Sequence, residues 1–175
     1  MNEAPPGFHD SQKNRVSKFN WISILGIPLA AILFQVYVPR FITYLSYLEV
    51  PLLVTVYFSL ARRSPVAGVF FGAGIGLAQD SLSHHPLGMF GIVKTLVGYF
   101  AGSVSQRFEV ENSWVRLVLA FFFFFFHQFF YWVLTRALLG QLIPFDPIST
   151  IVEALLNAAV AVPLYHVLDK LKVTE

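Results

Sequence analysis

The chain has 175 residues, of which 56% are hydrophobic and only 13% are charged. Average soluble domains carry roughly a quarter charged residues, so this composition excludes an ordinary soluble enzyme domain and predicts an integral membrane protein. The absence of cysteine excludes disulfides and thiolate metal sites, and the net charge of +2 is too small to indicate nucleic-acid binding.

Apolar stretches recur along the whole chain, separated by short polar connections. We predict an all-α bundle of six transmembrane helices, at residues 21–38, within 41–61, and at 65–79, 87–104, 114–139 and 148–168. Glu49 and Pro51 interrupt the second stretch, so its membrane part is expected to begin near Leu48. Residues 1–18 are predicted to be a disordered cytoplasmic tail, 19–172 one membrane domain, and 173–175 a cytoplasmic end.

Basic residues are distributed unequally between the predicted connections. If the amino terminus is cytoplasmic, nine of them lie inside: Lys13, Arg15, Lys18, Arg62, Arg63, Arg107, Arg116, Lys170 and Lys172. Only Arg40 and Arg136 lie outside, and Lys94 lies within the fourth span. By the positive-inside rule, this asymmetry predicts that both termini are cytoplasmic.

Small residues form a ridge on the third span, where Gly68, Gly72 and Gly76 recur every four positions. Such a ridge lets a neighbouring helix approach closely in lipid. The fourth span has its own small residues: Gly91, Gly98 and Gly102. Two explanations stay open, namely packing of this helical hairpin on itself and a groove for the transmembrane helix of a partner.

The third span ends on Asp80, and a Pro86-Leu87-Gly88 turn starts the next helix. A carboxylate at this depth must reach water or a partner. We expect Asp80 to accept hydrogen bonds from free backbone amides between Ser81 and Gly88, beside the positive end of the fourth helix dipole. The adjacent His84 and His85 do not face the same way, so no metal site is predicted there.

Three charged residues are expected at similar depth in the outer half of the membrane: Lys94, Glu153 and Glu49. An ion pair from Lys94 to either acid would explain how these charges are tolerated. The alternative is that each side chain reaches water separately.

His127 and Gln128 interrupt a run of phenylalanines at residues 121–130 in the fifth span. The rings cover every face of that helix, so part of the run must contact lipid. Polar side chains at this depth usually find an interhelical hydrogen bond, and Asn157 is an available partner by residue type. No chain of acids leads to His127, so the sequence favours a structural hydrogen bond over a proton relay.

The segment from Gly72 to Gly88, with its glycine ridge, Gln79-Asp80 and the Pro-Leu-Gly turn, resembles the rod-shape-determining MreD family. Asn157, followed by Pro163 and a basic end, is similar to the final span of that family. The resemblance covers about residues 20–172. The His84-His85 pair, the phenylalanine run and the longer amino-terminal tail depart from it.

The resemblance implies a non-enzymatic subunit of the bacterial cell-elongation complex, located in the inner membrane and without a cofactor. The partners it implies are an MreC-like bitopic protein, a RodA-like glycosyltransferase, a class B penicillin-binding protein and an MreB-like filament. The family is also similar in fold to the S components of energy-coupling-factor vitamin transporters. That similarity gives an alternative function, a substrate-binding S component docking through Gly26 and Ala30, which the short outer loops disfavour.

Overall fold

The computed structural model describes residues 19–83 and 86–172, and helices dominate both ranges. They are α1 (Trp21–Tyr37), α2 (Val50–Arg62), α3 (Pro65–Leu82), α4 (Met89–Val104), α5 (Ser113–Leu139) and α6 (Pro147–Asp169). Two short 3-10 helices, Val38–Arg40 and Thr43–Tyr47, connect α1 to α2. The expectations for the tail 1–18, for His84 and His85, and for residues 173–175 lie outside the described residues.

Helix boundaries follow signals that are visible in the sequence. Side chains of Ser64, Asn112 and Asp146 cap the amino ends of α3, α5 and α6 by accepting backbone hydrogen bonds. Pro51 lies in the first turn of α2, where its missing N–H costs nothing. The α-helical part of the predicted second span therefore begins at Val50. Earlier in that span, Thr43–Tyr47 forms a 3-10 helix and not a part of α2.

α2 is the central helix of the bundle, since every residue from Pro51 to Ala61 is buried. The hairpin α3–α4 packs on one side of it, and the hairpin α5–α6 closes the other side. α1 lies against α2 and α3 and keeps much of its surface exposed. An aromatic cluster fills the core around α2, with Phe58 stacked on Phe71 at 4.9 Å between ring centroids.

Within the described residues, four helical stretches are long and apolar enough to cross a bilayer by themselves: Trp21–Arg40, Thr43–Arg62, Ser113–Leu139 and Pro147–Asp169. α4 is a shorter apolar helix. α3 is not among these four stretches, because its four glycines and the Gln79-Asp80 end reduce its mean hydropathy. Large apolar side chains on α1, α5 and α6 face outward, as they do in proteins surrounded by lipid. The all-α membrane bundle predicted from the sequence is confirmed.

Candidate functional site at the outer end of the bundle

The connections α1–α2, α3–α4 and α5–α6 share one end of the bundle, here called the outer end; the opposite end is called the inner end. The small residues of α3 and α4 extend along both helices to this end. A Cβ added at Gly72 would overlap the carbonyl of Lys94 and lie 2.8 Å from the Cα of Thr95. A Cβ at Gly76 would lie 2.7 Å from the Cα of Gly91. The backbone of α4 therefore occupies the space along the α3 ridge.

The same close approach continues to the inner end of the hairpin. Gly68 faces Gly98 directly, and a Cβ at either position would overlap the carbonyl of the other. A Cβ at Gly102 would lie 2.5 Å from the carbonyl oxygen of Ser64. Of the two explanations for the ridges, packing of the hairpin on itself describes the contacts of these glycines.

Asp80 caps the amino end of α4 from the neighbouring helix. Its Oδ2 accepts hydrogen bonds from the N–H groups of Gly88 and Gly91, both at 3.0 Å, and its Oδ1 accepts one from Phe90 at 3.1 Å. Gly88, the residue before α4, has no side chain for this task, and its φ of 96° favours glycine. Of the bonds predicted from the turn, the one from Gly88 is present, and two more come from the first turn of α4.

This capping gives a physical reason for the Asp80 and Pro86-Leu87-Gly88 pattern. The first N–H groups of a helix have no partner within the helix, and a buried carboxylate satisfies several of them at once. Asp80 is only 1% exposed, so the backbone amides replace the water that its charge has lost. Leu87 points away from this contact and is 78% exposed.

Lys94 is completely buried, and its ammonium group lies in a cluster of three contacts. Nζ lies 3.6 Å from Oε2 of Glu49, 3.3 Å from Nε2 of His127 and 4.3 Å from the centroid of the Phe90 ring. Of the two acids considered as partners, the structure pairs Lys94 with Glu49. The alternative in which Lys94 reaches water by itself is wrong, because its side chain has no exposed surface.

Glu153 belongs to a different contact, between α5 and α6. Its Oε2 accepts a hydrogen bond from Nε2 of Gln128 at 3.4 Å, and its Oε1 accepts one from the hydroxyl of Ser149 at 3.2 Å. His127 and Gln128 therefore contact different helices, since consecutive side chains on a helix point about 100° apart.

Asn157 binds the backbone of the α1–α2 connection. Its Nδ2 donates to the carbonyls of Tyr47 at 2.8 Å and Glu153 at 2.9 Å, and its Oδ1 accepts from the N–H of Glu49 at 2.9 Å. Gln35 accepts from the N–H of Val50 at 3.3 Å. By residue type Asn157 was an available partner for His127 and Gln128, and in the structure it satisfies free backbone groups at the start of α2.

The third outer connection, between α5 and α6, is held by aromatic side chains. Nε1 of Trp132 donates to the carbonyl of Ile143 at 2.8 Å. The ring of Phe145 packs against Trp132 at 5.4 Å and against Phe129 at 6.2 Å between centroids. Each of the three outer connections is thus anchored to a helix by side-chain contacts.

The chemistry of these contacts is structural. The carboxylate of Asp80 and the amide of Asn157 bind backbone groups, and Glu49 neutralises a buried ammonium. Within the described residues, three buried polar atoms lack a hydrogen-bond partner: Oε2 of Glu49, Oε1 of Gln79 and Nδ1 of His127. The arrangement fixes the outer backbone.

Sequence reasoning missed a second polar cluster, at the inner end. Nη1 of Arg116 lies 2.5 Å from Oδ2 of Asp169, whose Oδ1 accepts from the Tyr57 hydroxyl at 2.9 Å and lies 2.7 Å from Nζ of Lys172. These residues join α2, α5 and α6. The available signal was Asp169, an acid at the end of an apolar helix with Lys172 one turn later.

Comparison with known proteins agrees with the resemblance found in the sequence. The chain matches the family described as rod shape-determining protein MreD over residues 15–173, which include all six helices. No curated protein and no solved structure matches it. The match confirms the resemblance, and the chain belongs to the MreD family of rod shape-determining proteins.

Proposed function

We propose that the chain is a non-enzymatic scaffold subunit of the bacterial cell-elongation complex, which directs peptidoglycan synthesis, and that it binds an MreC-like bitopic protein. Membership in a shape-determining family supports this function. The observation that carries it is the outer end, where side-chain contacts of Asp80, Asn157 and Trp132 hold all three connections. A backbone fixed before binding loses little conformational entropy when a partner docks.

The proposed partner surface consists of large apolar side chains that these connections leave exposed. Phe41 is 88% exposed, Tyr44 81%, Leu87 78% and Leu142 81%. We call these four residues the outer face. Aromatic side chains on a fixed backbone are typical anchors of protein interfaces.

The proposed location is the inner membrane, with both termini in the cytoplasm. The nine-to-two distribution of basic residues supports that orientation. In this orientation the outer face lies on the periplasmic side, where the bitopic partner has its folded domain. A RodA-like glycosyltransferase, a class B penicillin-binding protein and an MreB-like filament are proposed as further members of the same complex.

Affinity purification of the tagged chain from membranes of rod-shaped cells tests this function. We expect recovery of a single-span protein with a periplasmic coiled coil, and rounding of cells that lack the chain. Mass spectrometry identifies both proteins and small molecules in the purified sample. Tight retention of a vitamin without any such single-span protein would contradict the scaffold function and support the S component.

A further inference from the structure

A groove of about 710 Å³ runs between α1 and α3 on the side of the bundle. Its walls are almost entirely apolar and include Leu25, Leu29 and Phe70. Leu25 and Phe70 are also among the most exposed apolar side chains, so the groove opens sideways toward lipid. Gly74 lies in the groove, and a Cβ added there would have no atom within 4 Å.

The length of the groove matches one leaflet of a bilayer. On α3 it is lined from Ala67 to Ala78. That interval is 78 − 67 = 11 residue steps, or about 16 Å at ~1.5 Å per residue. The hydrocarbon core of a bilayer is roughly 30 Å thick, so the groove covers about half of it. A transmembrane helix from a partner or a second copy would need a groove along the full thickness.

A cation lies at the inner end of this groove. Arg62, the last residue of α2, lines it, and none of the ion pairs formed among residues 19–83 and 86–172 involves its guanidinium group. Guanidinium groups bind phosphate through paired, charge-assisted hydrogen bonds. An apolar slot one leaflet long with a cation at the membrane surface is complementary to a phospholipid that carries a net negative charge.

We propose that the groove between α1 and α3 binds one anionic phospholipid, with an acyl chain between Leu29 and Phe70 and the phosphate on Arg62. In the proposed orientation, this lipid belongs to the cytoplasmic leaflet. The site is separate from the outer face, so a lipid can occupy it whether or not the partner is bound.

Native mass spectrometry of the purified chain, with phosphatidylglycerol or phosphatidylcholine of identical acyl chains, tests this inference. The wild type should retain phosphatidylglycerol preferentially. Arg62→Gln should lower that preference about tenfold, because one charge-assisted contact is lost. Arg107→Gln, which removes an exposed arginine elsewhere at the inner end, should leave it unchanged.

Gly74→Trp should fill the groove and reduce retention of both lipids. Gly26→Trp is the matched control, because Gly26 is equally open but does not line the groove. Equal retention by these two variants, or an unchanged lipid preference in Arg62→Gln, would overturn the proposal. The Arg62 measurement stands by itself if Gly74→Trp does not fold.

Gly74→Cys identifies a competing occupant, because it introduces the only cysteine in the chain. In membranes, a cysteine-reactive crosslinker should give no protein adduct at this position if a lipid fills the groove. A crosslink to a second copy or to a co-purifying single-span protein would overturn the proposal. Neither the presence nor the absence of a crosslink at position 74 decides the function proposed for the outer face, which affinity purification tests separately.

Discussion

Gly72→Leu should prevent α3 and α4 from packing and give a large loss of stability. Even the Cβ would overlap the Lys94 carbonyl and approach the Cα of Thr95, and backbone atoms cannot yield as a side chain can. Overpacking costs typically ~1–3 kcal/mol and more where the neighbours are rigid, so we expect at least about 3 kcal/mol. That loss lowers the midpoint of thermal unfolding in detergent by roughly 6–12 °C for a chain of this size.

Gly74→Leu is the matched control on the same helix. Both substitutions gain helix propensity, by somewhat less than the ~0.8–1 kcal/mol that separates glycine from alanine, but a Cβ at Gly74 meets open space. We expect Gly74→Leu to unfold at or above the wild-type temperature, measured by size-exclusion chromatography of heated samples. Similar unfolding temperatures for the two variants would show that close packing of the hairpin does not govern stability.

Asp80→Asn provides an intermediate case. The amide keeps the size of the side chain, but it loses the charge and one of the oxygens that accept from Gly88, Phe90 and Gly91. Hydrogen bonds to charged groups contribute about 1.5–3 kcal/mol, so the expected cost lies below that of Gly72→Leu. We also expect reduced recovery of the partner, because the turn that carries Leu87 is loosened.

Glu49→Gln should give the second large effect, because it removes the ion-pair partner of the buried ammonium of Lys94. Removal of one member of a buried ion pair typically costs about 3–5 kcal/mol. The measurement is the same thermal midpoint in detergent. Glu153→Gln is the control, since the side chain of Glu153 hydrogen-bonds to the neutral side chains of Gln128 and Ser149, and its replacement should cost less than about 1 kcal/mol.

A double substitution separates charge compensation from a general loss of packing. Glu49→Leu combined with Lys94→Met removes both charges and keeps similar volumes, and replacing a buried ion pair in this way is often neutral or stabilising. We expect the double variant to recover most of the stability that Glu49→Gln loses. A double variant that is as unstable as Glu49→Gln would contradict the assignment of Glu49 as the counter-charge.

Local features could be predicted from the sequence because their causes lie within a few residues. The first-turn prolines and the caps Ser64, Asn112 and Asp146 define where helices begin. The ridge of Gly68, Gly72 and Gly76 follows from helical periodicity alone. The capping by Asp80 could also be predicted, because only the short segment from Ser81 to Gly88 separates Asp80 from α4, the helix that it caps.

Long-range pairings could not be predicted in the same way. Counting residues along each span placed Lys94, Glu49 and Glu153 at similar depth but gave no information on how the helices are rotated about their axes. That rotation depends on the packing of the whole bundle, and it turns Glu153 toward Gln128. Arg116 and Asp169 are 53 positions apart in the sequence, so no local pattern connects them. Arg116 was therefore counted as a cation of an inner connection, whereas its guanidinium group pairs with Asp169.

In-cell photo-crosslinking tests the central claim, that the outer face binds the bitopic partner. A photoreactive amino acid would replace Phe41 on the outer face or, as a control, Phe108 in the α4–α5 connection at the inner end. Phe108 is an aromatic of the same type and is 53% exposed. We expect a covalent adduct with the single-span partner from position 41 and none from position 108. An adduct from position 108 alone would contradict the claim and place the partner at the other end of the bundle.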